Sequence, residues 1–300
     1  LEDAEANTNV LGSPFTNTIN PQVVYARVEN DGSDCYDITE VLLKVDALPE
    51  VFLEESYRLC VDANGNPIPE QEGSVSPPVI DTGLDPSLYS FEWYIDGVIQ
   101  LGQTDPSIVA LSEGAYSVIV TEIDSGCSTE ATTTVTISSP PLVYDAQVVT
   151  QAFAGNHAIQ ATAEGQGSYV FQLDDGPFQQ DGVFVNVDPG RHLVTIKDAN
   201  GCGSVTIELS IIDYPRFVTP NQDGYHDTWN IIGIAGGDPT AKIYIFDRFG
   251  KLLKQLSPLG EGWDGTYNGN PMPSSDYWFT VEYTEEDTRK EFKGHFTLKR

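Results

Sequence analysis

The chain reads as an all-β protein, a row of tandem β-sandwich modules, on three observations. Apolar residues alternate with polar ones at period two in one short run after another. Glycine and proline, 27 and 19 in 300 residues, fall between those runs rather than in one block, which is the punctuation of many turns. A single pattern of strand, turn and cysteine recurs three times. Hydrophobic residues at 40%, with 13 Phe, 14 Tyr and 4 Trp, supply several cores, and 300 residues suit two to four modules.

The recurring pattern sets the boundaries. Val23 to Val28 leads to Cys35, Gly114 to Val120 leads through Asp124-Ser125-Gly126 to Cys127, and Gly190 to Ile196 leads through Asp198-Ala199-Asn200-Gly201 to Cys202. Each cysteine opens a second run, ending near Val45, Ile137 and Ile212. Tyr116, Val118 and Val120 share one face, as do Val135 and Ile137, so each unit is a half-buried hairpin. The cysteine spacings of 92 and 75 residues are of β-sandwich size. We expect the last strands of a partial module in 1–48, a complete module in 49–139, another in 140–212 and a C-terminal block in 213–300. Ser138-Ser139-Pro140-Pro141 is the linker between the two complete modules. Leu1 follows no Met, and the chain reads as a fragment or processed product whose upstream part is missing.

Charge divides the chain at the same place. Residues 1–212 hold 32 acidic against 5 basic side chains, and residues 213–300 hold 13 against 10, within a formal charge of −30. Such a chain repels phosphate backbones and anionic lipid, which argues against nucleic-acid or bilayer-surface partners. No apolar run approaches the roughly 18 residues of a membrane-spanning helix.

In the second module Cys60 lies early, Trp93 sits inside Tyr89-Ser-Phe-Glu-Trp-Tyr-Ile-Asp-Gly97, and Cys127 lies late. This arrangement resembles immunoglobulin-like and PKD-like domains, and Asp96-Gly97 marks a tight turn. The resemblance implies a Cys60–Cys127 disulfide, in keeping with an exported location. Cys35 is expected to have lost its partner upstream, and Cys202 to be a buried small residue. In the third module Tyr169, Phe171 and Leu173 share a strand face before an Asp174-Asp175-Gly176 turn. Its Asp198-Ala-Asn-Gly-Cys202 ending resembles the repeats of large gliding adhesins of Bacteroidota.

The last 88 residues carry the densest set of motifs. Phe217-Val-Thr-Pro-Asn-Gln-Asp-Gly-Tyr-His-Asp-Thr-Trp229 opens them, followed by Ile243-Tyr-Ile-Phe-Asp-Arg-Phe-Gly-Lys251 and Gly262-Trp-Asp-Gly-Thr-Tyr-Asn-Gly-Asn-Pro271. The run Tyr277 to Tyr283 and the ending Gly294-His-Phe-Thr-Leu-Lys-Arg300 complete the set. In this order the motifs resemble the type B C-terminal sorting domain of the type IX secretion system, also called the gliding motility-associated C-terminal domain. Gln222 and His226 depart from the usual Gly and Asn of that family. The resemblance implies export across the outer membrane, with the translocon and its β-barrel shuttle as partners and everything upstream as passenger.

Independently of that resemblance, period-two alternation predicts the block's strands. Ile243 and Ile245 oppose Tyr244 and Phe246; Tyr277, Phe279, Val281 and Tyr283 share one face, and Phe292, Phe296 and Leu298 another. Asp247-Arg248-Phe249-Gly250 and Glu285-Glu286-Asp287 are turns. The expectation is a self-contained sandwich of about seven strands. Its terminal residues Gly294, Phe296, Leu298, Lys299 and Arg300 form a recognition handle, readable without unfolding the rest.

Candidate chemistry is sparse. Asn221, Asp223 and Asp227, with the Tyr225 carbonyl, resemble the oxygen set of a Ca²⁺ loop; the competing reading is an Asx-rich turn that satisfies its own backbone donors. Gly260-Glu-Gly-Trp-Asp-Gly265 fits GxGxxG in form, but an Asn/Gly/Pro-rich turn follows it rather than a helix, and Glu261 and Asp264 repel phosphate. No G-x-S-x-G or H-E-x-x-H run occurs, and the four histidines are scattered. The chain is therefore expected to be no enzyme but the end of a secreted or cell-surface, adhesin-like protein. The alternatives are a carbohydrate- or Ca²⁺-dependent binding module of a polysaccharide-processing protein, favoured if Trp93 or Tyr94 lies on a solvent face, or the non-catalytic tail of an upstream enzyme.

Overall fold

A computed structural model describes residues 1–33, 35–69, 77–234, 238–285 and 288–300. Among the described residues, apart from the one-turn helix Glu2–Ala6, the regular elements are strands, most of them paired antiparallel, with Phe217–Val218 running parallel to Thr288–Leu298. The expected turn at Glu286-Asp287 lies outside the described residues. The chain divides into two compact units, one of Leu1–Tyr57, Val79–Val109 and Gly114–Val135, the other of Arg58–Pro78, Ala110–Glu113 and Thr136–Arg300.

The first unit begins with a hairpin. Gln22–Glu29 pairs with Tyr36–Leu43 in register from Gln22↔Leu43 to Glu29↔Tyr36, and Cys35 directly precedes the second strand. A two-stranded ribbon covers little of its own apolar surface, and Val28 and Leu42 accordingly remain 66% and 60% exposed. The sheet that follows runs in the order Ser56–Cys60, Ser128–Ser138, Gly114–Glu122, Tyr89–Ile95, Val98–Ile99, and a short pair joins Val79–Asp81 to Ser107–Val109. Phe91, Trp93, Tyr116, Val118 and Val120 are buried on one face, the face that alternation predicts. Asp96 and Gly97 both take positive φ, 48° and 76°, which is what a two-residue hairpin needs to match strand twist. The Asp96 carboxylate then accepts the Ala115 N–H at 2.9 Å.

The second unit contains a sandwich of two three-stranded sheets. Val143–Val148, His157–Glu164 and Val183–Val187 form one; Tyr169–Leu173, Gly190–Asp198 and Ser204–Ile211 form the other. Ile159, Phe171, Val194, Ile196 and Ile211 fill the space between them. The Asp96 turn has a counterpart here: Asp174 takes φ 49° and accepts the Leu193 N–H at 2.8 Å.

The remainder of this unit, from residue 213, holds a five-stranded sheet in the order Phe217–Val218, Thr288–Leu298, Ser275–Glu285, Lys242–Phe246, Leu252–Leu256. A ribbon of Thr266–Tyr267 with Asn270–Pro271 brings the strands to seven among the described residues. Irregular chain, rather than a second full sheet, covers the core face. It is held by the reciprocal main-chain bonds of Trp229 and Trp263, at 2.9 and 2.8 Å.

Candidate functional site in the C-terminal block

Aromatic packing fixes the block. Trp229, Trp263, Tyr277, Phe279 and Phe296 are all within 2% of full burial, and Trp229 stacks on Phe296 with ring centroids 4.0 Å apart and planes at 12°. Each buried polar tip finds a carbonyl at 2.8 Å: Trp229 Nε1 donates to Pro215, Trp263 Nε1 to Thr266, and the Tyr277 hydroxyl to Pro273. This removes the desolvation penalty of large amphipathic rings. Gly265 of the GxGxxG-like run leads directly into the strand Thr266–Tyr267 and not a helix, so the run is a turn.

The terminal residues are locked rather than loose. Phe296 and Leu298 are completely buried. Gly294 faces Phe279 so closely that a Cβ would lie 2.7 Å from the ring. Lys299 donates its N–H to the Val218 carbonyl and sets its ammonium 4.6 Å from the Phe217 ring centre. Arg300 donates from Nε to Met272 and from its guanidinium to Gly265, each at 3.0 Å. Of the expected handle, the side chains of Phe296 and Leu298 are therefore core, and only Lys299, Arg300 and the strand backbone face outward.

The loop from Asn221 to Asp227 turns its oxygens on itself. Asp227 accepts the N–H groups of Asn221 and Gln222 on one oxygen and of Gly224 on the other, at 2.6–3.0 Å. Asp223 accepts from Tyr225 N–H and from the Asn221 amide, at 2.8 and 2.7 Å. The Gly224 N–H above all, then those of Gln222 and Asn221, hold the Asp227 carboxyl below the usual range, against an opposing effect of desolvation. Asn221, Asp223 and Asp227 are thus brought together, as a self-capped Asx turn.

The disulfide differs from the expectation. Cys60 bonds Cys202, with Cα atoms 5.3 Å apart, while Cys127 and Cys35 are free; the expected Cys60–Cys127 bridge is corrected, and so is the reading of Cys202 as a lone buried residue. Strand length is the reason. Val61, next to Cys60, donates its N–H to Ser138 at 2.9 Å, at the end of the strand Ser128–Ser138. Cys127 precedes that strand's first residue, so eleven residues at ~3.4 Å each lie between the two thiols. The bridge spans 142 residues, a loop whose closure is worth about 5 kcal/mol in the chain-entropy account.

Beside it Asp198, fully buried, accepts from the Ser138 hydroxyl on both oxygens at 3.0 Å, from the N–H of Cys202 and Ser168 at 3.0 and 3.2 Å, and from Asn200 at 3.4 Å. The motif Asp198-Ala-Asn-Gly-Cys202 is therefore a clamp on the Ser138-Ser139 linker.

A second junction lies at residue 213. Phe153, from a loop of the sandwich, belongs to the core of the C-terminal block together with Ile212. It stacks on Phe292 at 4.1 Å and meets Tyr283 edge-on at 5.7 Å. At the same junction the buried His157 Nε2 lies 2.9 Å from the buried Asp213 carboxylate, which also accepts the Gly155 and Tyr214 N–H groups and the Arg216 guanidinium. The expectation of a self-contained block is corrected to that extent: its aromatic core continues into Phe153. Neither Phe153 nor His157 shows in the sequence as more than a loop aromatic and a scattered histidine.

Comparison with known families bears on this block directly. Residues 212–298 match the CHU_C type IX secretion signal domain. Residues 1–49 match a second family, the Flavobacterium inter-domain disulphide bond domain. No curated protein matches the chain. Among solved structures it is similar to fibronectin(III)-like modules of Clostridium thermocellum CbhA, at 12% identity over 54% of this chain and 94% of that one, TM-score 0.31. The I-band fragment I67–I69 of titin shares 10% identity over 85% and 100%, TM-score 0.29. Murine CEACAM1b shares 11% over 54% and 98%, TM-score 0.35. The signal domain marks a protein that is exported, to the surface or the medium, and that the type IX machinery recognises. No helix among the described residues is long and apolar enough to cross a membrane.

Proposed function

We propose that this chain is the C-terminal part of an adhesin-like, gliding-associated surface protein of a Bacteroidota cell, whose upstream β modules are the exported passenger. Residues 213–300 direct it through the type IX outer-membrane translocon and its β-barrel shuttle. The observation that carries the reading is the secretion-signal match over 212–298 on a block whose terminal strand is packed and whose tail is pinned. The Cys60–Cys202 bridge, the Asp198 clamp and the Phe153 contact all lie within the second unit and support a passenger end that is held by a covalent bridge and joined to the sorting block by buried contacts. Sorting domains and strand-rich modules of this kind are typically non-catalytic, and no nucleophile-and-base arrangement was legible in the sequence. Of the two aromatics that would favour a glycan-binding reading of the second module, Trp93 is buried with its Nε1 on the Asp105 carbonyl, which leaves only the half-buried Tyr94, beside Glu92, to support it.

Residues 1–49 match a family described by its inter-domain disulphide, and Cys35, their one cysteine, is exposed. We therefore read Cys35 as half of a bridge to another domain, with Cys127 the free thiol this chain offers. Non-reducing peptide mapping of the exported protein tests this, a free Cys35 counting against it. The export role is tested by a chain ending at Ile212 and carrying Phe153→Ser, so that the uncovered ring does not promote aggregation. It should stay inside the cell; normal release removes the sorting role.

A further inference from the structure

The terminal strand Thr288–Leu298 carries an inference that deepens the export reading and rests on it. In the sheet it lies between Ser275–Glu285 and Phe217–Val218, but the latter covers it only at Thr297 and Leu298. Thr297 and Lys299 donate their N–H groups outward, to Arg216 and Val218 at 3.0 and 2.9 Å. An antiparallel ladder turns the N–H and C=O of every second residue to the same side. Arg289, Glu291, Lys293 and His295 therefore present theirs to the outer edge. The register with Ser275–Glu285 is unbroken from Ser275↔Leu298 to Glu285↔Thr288, so no bulge turns this edge away. Among the described residues no hydrogen bond reaches those four N–H groups. Beside the strand runs an open groove of about 730 Å³, lined by Tyr283, Lys290, Glu291 and Phe292 and by the segment Val148–Ala154.

A partner cannot read Phe296 or Leu298 without unfolding the block, because both are core. The edge backbone is available as it stands. Its charge selects what can pair with it: Arg289, Lys290 and Lys293 stand against Glu291 alone in Arg289–His295, in a chain of net charge −30, and the surface ion pairs Arg289–Glu282 and Lys293–Glu291 are exposed and exchangeable. Basic side chains on an edge deter indiscriminate pairing, and they leave an acidic strand as the complementary exception.

We propose that the outer edge of Arg289–His295 is a β-augmentation site, taking an extended, acidic peptide strand from the export machinery. Lys293→Pro tests it in the full chain, because it removes an outward N–H and leaves the inward ladder intact; Lys293→Ser is the control. The first measurement follows amide NMR signals of the purified protein with a synthetic peptide of alternating Glu and Val. Shifts confined to Arg289, Glu291, Lys293 and His295 are expected, absent in Lys293→Pro and absent with a Lys/Val peptide. Shifts at these amides with phosphatidylglycerol vesicles but not with the peptide, or no shifts with either probe, overturn the proposal.

The second measurement is export from the native host, where Lys293→Pro should lower the released fraction about tenfold, the effect of losing one edge hydrogen bond and its neighbours. If the Ile212 truncation is retained while Lys293→Pro, folded by circular dichroism, is released normally, the edge proposal fails and the sorting role stands. If the truncation is released, the sorting role itself fails. Should Lys293→Pro not fold, Arg289→Glu with Lys293→Glu keeps every main-chain donor and reverses the charge; its normal release overturns the proposal equally.

Discussion

Asp198 shows what a single side chain does here. Its carboxylate has no solvent exposure and collects donors from Ser138, Ser168, Asn200 and Cys202. Replacing it by Ala strands several of these in an apolar space, each at a cost of its own. Asp198→Ala should lower stability by about 3 kcal/mol, seen as a fall in the urea midpoint, whereas Asp198→Asn, which keeps acceptor capacity, should lose less. Asp227 is the exposed counterpart. Its folded pKa is depressed by the Gly224, Gln222 and Asn221 amides, so its contribution is full above the ordinary carboxylate value of ~3.9 and disappears as pH falls through the lower folded value. The Gly224 amide shift should therefore titrate below that value and stop titrating in Asp227→Asn. Because the loop oxygens already serve its own N–H groups, adding EDTA to a Ca²⁺-containing sample should leave the melting temperature unchanged. A clear drop would restore the Ca²⁺ reading.

At the scale of elements, the hairpins were the most legible feature. Period-two alternation alone placed Tyr116, Val118 and Val120 on one face, and Ile243 and Ile245 on another, because a strand's two faces are set locally; all five are buried. Asp96-Gly97 was legible for the same reason, since positive φ is a demand made on two residues. The pairing of Cys60 was not legible: it depends on which end of a strand each thiol occupies. Gly294 belongs to this scale too. It sits on the inward face of the terminal strand opposite Phe279, where a methyl group has no room. Gly294→Ala should destabilise the block by about 2 kcal/mol through overpacking, measured as a lower denaturant midpoint with the denaturant dependence of unfolding unchanged.

For the whole molecule, the chief consequence is coupling across residue 213. Phe153 reaches from the sandwich into the aromatic core formed by Tyr214, Phe279, Tyr283 and Phe292, and the buried His157–Asp213 contact joins the same two parts of the chain. Phe153→Ala should cost about 3 kcal/mol. In calorimetry the sandwich and the block should then melt as two separate transitions, where the wild-type protein shows them merged. Two separate transitions already present in the wild type would show that the joint is not cooperative.

By itself the sequence determined the all-β class, the strand faces, the position of the terminal strand and the family of the C-terminal block. These depend on near neighbours: alternation, turn chemistry, and motif order within some ninety residues. The tertiary structure decided which cysteines join, that Asp198 and His157 are buried hubs, that Phe153 completes a core begun sixty residues later, and that the final strand offers its backbone edge while hiding its apolar side chains. Each of those depends on the distance between segments remote in the chain. Periodicity carries no information about that distance, because a strand's pattern states only which face is buried, not what it is buried against.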